Sequence, residues 1–134
     1  MDIHILRLRD ACEFVPDKKT YALRIFSSSD DVVVRTSTLV DSPLYVKEAS
    51  YVFDDSWPGY SGGGRLLLDN PTSDLIVSDF AACKDDVDAL LVHCLRGRNR
   101  SPAAAFALHE VFDLGNDLKK LREPYKPDEP NWYV

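Results

Sequence analysis

One stretch of this 134-residue chain gathers reactive and anion-binding residue types at close spacing: His93-Cys94-Leu95-Arg96-Gly97-Arg98-Asn99-Arg100-Ser101. Before it runs Ala89-Leu90-Leu91-Val92, a short unbroken apolar run that predicts a strand buried on both faces. After it, Ser101-Pro102 opens an alanine-rich helix predicted to reach about Asp113, with Ser101 as cap and Gly115 suiting its end. A helix start leaves about four backbone N–H groups without intrahelical acceptors, and its dipole favours an anion there. A tight loop in front of that start turns further amides inward, which makes a nest for a phosphate-sized oxyanion. Gly97 supplies backbone angles that such a curl needs.

Cys94 lies at the mouth of this nest. The field that holds a phosphate also stabilises a thiolate, the nucleophilic form of cysteine. Arg100 follows at the end of the loop, and its planar fork matches two phosphate oxygens at once. Leu95, Arg96, Gly97, Arg98 and Asn99, with Arg100, make up the expected phosphate-binding loop. Nucleophile, cradle and clamp together are half of a phosphoryl-transfer site.

These residues resemble the signature His-Cys-x-x-Gly-x-x-Arg-Ser/Thr of cysteine-dependent protein tyrosine and dual-specificity phosphatases at every fixed position. The resemblance leaves the first forty or so residues unmatched. It implies a small dual-specificity-type α/β domain with a central, mostly parallel sheet flanked by helices. It implies hydrolysis of phosphate monoesters, foremost phosphotyrosine and also phosphoserine or phosphothreonine in proteins, through a cysteinyl-phosphate. By the same resemblance Ser101 hydrogen-bonds Cys94 and helps it leave, while His93 orients the loop through a ring N–H and is no base. A core histidine at a strand end is the plainer reading of His93, and the two are compatible. Arg98, directly after the loop glycine, is similar to phosphoinositide phosphatases, and Asn99 before Arg100 is similar to RNA 5′-triphosphatases. Those substrates, and a non-catalytic phosphate-binding module, are the alternatives; Arg96 and Arg98 pointing into solvent is the simpler account of the extra charge.

A leaving oxygen also needs a proton, which arginines cannot give. The family supplies it from an Asp at a strand end upstream of the cysteine. Asp55 is the preferred candidate, Asp54 the reserve and Asp69 the competitor, with Asp74 behind them. Asp55 stands further from Cys94 than is usual in the family, and the run Trp57–Gly64 accounts for the excess as an insertion. The breaker-rich stretch from Ser56 to Gly64 is a loop, either a segment that moves over a site or a solvated connection.

The elements that must hold this loop read as strand, helix, strand, loop, helix, an α/β order in one domain over 1–134. Tyr21–Phe26 predicts a strand and Ser27–Asp31 a turn; Val32–Val34 and Tyr45–Phe53 predict further strands. Ile76, Phe80, Cys83 and Val87 recur at helical spacing, which predicts a helix from Ser73 to Lys84 capped by Thr72 or Ser73. His4 and His109 read as surface residues, and the tail from Glu123 as an irregular packed segment. Hydrophobic residues make up 45% and charged residues 28%, the balance of a globular protein. A net charge of -6 argues against non-specific binding to nucleic acid or anionic membranes, while leaving room for a small basic pocket. The three cysteines, Cys12, Cys83 and Cys94, form no CxxC pair, so neither a disulfide framework nor a zinc site is expected. Cys12 and Cys83 are expected to be dispensable for turnover; failure of Cys83→Ser to recover after peroxide would instead make Cys83 a resolving thiol for Cys94. No apolar run approaches the roughly 20 residues of a membrane span, and Met-Asp-Ile-His does not open a secretory signal. The expectation is a cytoplasmic monomer acting on phosphorylated protein or peptide, without cofactor, metal, membrane or nucleic-acid partner.

Overall fold

Two nearly continuous apolar runs, Thr20–Phe26 and Ala89–Cys94, occupy the middle of one sheet, where both faces are covered. The computed structural model of the chain describes residues 1–54, 70–116 and 118–125. In chain order these form β1 (Asp2–Arg7), α1 (Leu8–Glu13), β2 (Thr20–Phe26), α2 (Val32–Arg35), β3 (Tyr45–Val52), α3 (Asn70–Cys83), β4 (Ala89–Cys94), α4 (Arg100–Phe112) and α5 (Leu118–Arg122). The strands lie in the order β1-β4-β2-β3, and every pairing is parallel. Every residue of β2 and of β4 is buried, whereas β1 and β3 alternate or open to solvent, as edge strands do. The chain is therefore α/β with an all-parallel four-stranded sheet flanked by helices.

The period of two along each strand sorts the core into two layers. On one face Leu23, Ile25, Leu90, Val92 and Cys94 pack with Phe80 of α3 and with Ala104, Ala105 and Leu108 of α4. The alanines let α4 lie close to the sheet, so the segment that follows β4 returns directly over it. On the other face Ala22 and Leu91 meet Ala11 of α1 and Leu39. Burying each large side chain such as Phe80 contributes about 1.5–3 kcal/mol. Tyr21 stacks edge-on against Phe80 at 5.2 Å, and the Tyr51 hydroxyl donates to Asp79 at 2.6 Å, tying β3 to α3.

Five expectations are corrected. Val32–Val34 is not a strand but the body of α2: the Asp31 carboxylate accepts from the Val34 N–H at 2.9 Å, and Arg35 and Thr36 donate back to Asp31 and Val32. Val32 and Val33 are exposed, so their β-branched side chains have no pleated neighbour to fit, and the cap decides. Helix α3 begins at Asn70, so Thr72 and Ser73 lie inside its first turn; Pro71, which has no N–H to satisfy, suits that position. Helix α4 begins at Arg100 with Asn99 as its cap, which puts Ser101 inside the helix, and Asp113 in the left-handed region (φ 49°) closes its other end. His109 is buried, its Nε2 2.7 Å from the Asn116 carbonyl. His4 is half-buried against Phe14. Strand β1 and helix α1 lie within the first forty or so residues, which the family resemblance leaves unmatched. The expected tail beyond 125 lies outside the described residues. Among the described residues no helix is long and apolar enough to cross a membrane.

Candidate active site

In a parallel sheet the strand ends that share one edge also share whatever the following loops carry, and sites form at the C-terminal edge. Strand β4 is flanked by β1 and β2, so the loop after Cys94 emerges between the ends of two neighbours. It is pinned there. The Leu8 N–H donates to the Leu95 carbonyl at 3.2 Å, joining the start of α1 to the loop. Gly97 has φ +70°, a conformation that L side chains rarely adopt, and a Cβ on it would come within 2.6 Å of the Arg7 nitrogen and 2.8 Å of the Leu6 carbonyl carbon. Both the turn and the close approach to the end of β1 therefore demand glycine.

This curl brings an amide and a hydroxyl to the sulfur. The Gly97 N–H donates to Cys94 Sγ at 3.2 Å, and the Ser101 hydroxyl lies 3.3 Å from the same atom. Cys94 is 2% exposed and Ser101 fully buried, so these contacts act away from bulk water. The start of α4 faces the loop with no side-chain cap from Asn99. Leu95, Arg96 and Arg98 are exposed, while Gly97 and Asn99 are half-buried.

Arg100 is buried, and its Nη1 donates to the Phe53 carbonyl at 2.8 Å. The guanidinium thus reaches from α4 to the residue just after β3, where the acidic pair begins. Asp54 is buried beside it and accepts from both the N–H (3.0 Å) and the hydroxyl of Ser28. Both of its oxygens hold the turn after β2. Asp55 and Asp69 lie outside the described residues, as does the Trp57–Gly64 run; Asp74 is exposed on α3.

His93 points to the opposite face of β4 from Cys94 and is fully buried. Its Nε2 accepts from Arg24 Nε at 2.9 Å, across the register that pairs Arg24 of β2 with His93 of β4. An arginine only donates, so the neutral ring carries its proton on Nδ1. Nδ1 meets the backbone of Cys94 without completing a full hydrogen bond among the described residues. Burial, and then the Arg24 charge, push the His93 imidazolium down to about 4 from its ordinary 6.5, with the Cys94 backbone opposing. The ring is neutral near pH 7.

Arg24 itself was not singled out by sequence. Its signal was a charge inside the otherwise uncharged strand Tyr21–Phe26. Cys83 is half-buried on α3 and Cys12 half-buried on α1, both free. Taken together, the edge of the sheet presents a buried sulfur met by an amide and a hydroxyl, a buried guanidinium and a neutral histidine behind them. No family model, curated protein or solved structure matches the chain.

Proposed function

We propose that the chain is a cysteine-dependent phosphatase that hydrolyses phosphate monoesters, foremost phosphotyrosine in intracellular proteins. The observation that carries this reading is the buried Cys94 sulfur at the end of a central parallel strand, with the Gly97 amide and Ser101 hydroxyl converging on it. In the first step the Cys94 thiolate attacks phosphorus in line; the bond to the leaving oxygen breaks as an acid protonates that oxygen, leaving a cysteinyl-phosphate. In the second step a carboxylate takes a proton from water, the hydroxide attacks phosphorus, and Cys94 departs as a thiolate that Ser101 stabilises. Arg100 and the loop amides hold the equatorial oxygens, whose charge the transition state presents.

Asp55 is the acid in this account. Its neighbour Asp54 spends both oxygens on Ser28, which supports a structural role for Asp54 and leaves the proton to the next residue. The Arg100 bond to the Phe53 carbonyl couples the phosphate clamp to the backbone that leads into Asp55. His93 is a positioning residue and not a base, since its lone pair is taken by Arg24.

A panel of phosphotyrosine peptide, phosphothreonine peptide, phosphoinositide and RNA 5′-triphosphate, compared by kcat/KM, tests the substrate class. Phosphotyrosine peptide should lead. Preference for a polyphosphorylated substrate would transfer the assignment to that class, with Arg96 and Arg98 as the residues to change next. No turnover of any of the four, with phosphate still bound, would leave a phosphate-binding module.

A further inference from the structure

We propose that Arg24 is a positioning residue for Cys94, acting by fixing the His93 ring, through its Nε2 lone pair, in one tautomer and one orientation at the residue that precedes Cys94. Arg24 lies in the centre of the sheet and is 8% exposed. Its Nε donates to His93, its Nη2 donates to the carbonyl (3.0 Å) and hydroxyl (3.3 Å) of Ser37, and its guanidinium sits 5.0 Å over the Phe26 ring. The Phe26 ring in turn meets His93 edge-on at 5.7 Å. Among the described residues its partners are a ring nitrogen, a carbonyl, a hydroxyl and an aromatic face, with no carboxylate. Burying a charge without a counter-charge is costly, and replacing a pair of this kind by apolar side chains often costs nothing. An arginine used only to fill this space would be a poor choice. What it does that an apolar residue cannot is hold a proton-donating fork in fixed register against His93 Nε2.

The consequence runs along β4. His93 and Cys94 are consecutive, so the His93 ring on one face and the sulfur on the other share one peptide unit. With Nε2 occupied, the ring can present only Nδ1–H to the backbone that carries the sulfur. With Nε2 released, either tautomer is open and the orientation of the ring beside Cys94 is no longer fixed. Asp30, which lines the same crevice as His93, accepts from the Ser27 N–H and does not replace Arg24. Ser37 completes the device by anchoring the guanidinium to the connection between α2 and β3.

The catalytic half of this inference rests on the phosphatase reading; the tautomer half does not, and the test separates them. Imidazole 15N spectra of the whole chain, assigned by the loss of signal in His93→Gln, report which ring nitrogen is protonated. The wild type should show Nε2 unprotonated and Nδ1 protonated. Arg24→Met, which keeps length but donates nothing, should give a mixture of tautomers and lower kcat on an aryl phosphate by about tenfold or more, as loss of a histidine's outer partner does, with KM little changed. Arg24→Gln retains a neutral N–H donor and should keep both the tautomer and most of kcat. A protonated Nε2 in the wild type would overturn the proposal, and so would Arg24→Met that keeps the wild-type tautomer or loses it at full kcat. If Arg24→Met does not fold, the wild-type spectrum and Arg24→Gln decide in the same way. A wild type with the expected tautomer and no turnover would overturn the phosphatase reading and leave the Arg24–His93 assignment supported.

Discussion

Acid should weaken this protein through His93 in a window fixed by the structure. In the native state burial and Arg24 hold the imidazolium down at about 4, while in the unfolded chain it ionises near its ordinary 6.5. Between those values the unfolded chain binds a proton that the native state refuses, so stability is complete above pH 6.5 and falls as the pH drops toward 4. At about 1.4 kcal/mol per pH unit the loss across the window is about 3 kcal/mol, a large part of the roughly 5–15 kcal/mol by which domains are stable. Urea unfolding of the wild type and of His93→Gln, followed from pH 7 down to about pH 4.5, measures it. Glutamine keeps an oxygen that accepts from Arg24 and does not titrate. Carboxylates such as Asp2, whose carboxyl the Lys18 hydrogen bond holds below the usual range, weaken both proteins alike and cancel. The advantage of wild type over variant should shrink by most of that amount as the pH falls. A difference that stays constant, or grows in acid, would refute the claim that His93 is held neutral.

Three further outcomes follow from the site. Gly97→Ala should destabilise by more than the roughly 1–2 kcal/mol of left-handed strain alone, because its Cβ meets the backbone of Leu6 and Arg7, and urea unfolding together with phosphate affinity checks both losses. Arg100→Lys should cut kcat/KM severely although the charge is kept, since lysine offers no fork to two oxygens; kinetics within a few-fold of wild type would remove Arg100 from the clamp. Asp55→Asn should lower kcat on phosphotyrosine by about 10²–10⁴-fold and far less on an aryl phosphate whose phenolate departs unaided; equal losses would pass the acid role to Asp69 or Asp54.

The parts of the fold legible in the sequence are those where local and tertiary demands agree. The apolar runs of β2 and β4 are buried on both faces, and the spacing of Ile76, Phe80 and Cys83 marks the face of α3 that meets the sheet. Val32–Val34 misled because β propensity counts only against a neighbouring strand, whereas the Asp31 cap acts locally. Strand β1 is an edge strand with half-buried side chains, so its apolar pattern is faint, yet the Gly97 curl presses against its end. Ser101 reads as a helix cap and is instead the second residue of α4, with its hydroxyl on the Cys94 sulfur. His109 was misread because charged neighbours in sequence say little about which face of a helix is covered. Arg24 escaped notice because its partner is 69 positions away and is recognisable only once β2 and β4 are set side by side.

In the proposed reaction Cys94 carries the phosphoryl group during turnover. Rapid acid quench of the wild type mixed with an aryl phosphate, with peptide mass mapping of the quenched chain, tests it most directly. A burst of the aryl alcohol approaching one equivalent of chain and a phosphate adduct on the peptide containing Cys94 are expected, with both lost in Cys94→Ser while phosphate binding remains. Turnover without a burst, an adduct on another residue, or an undiminished rate in Cys94→Ser would contradict it.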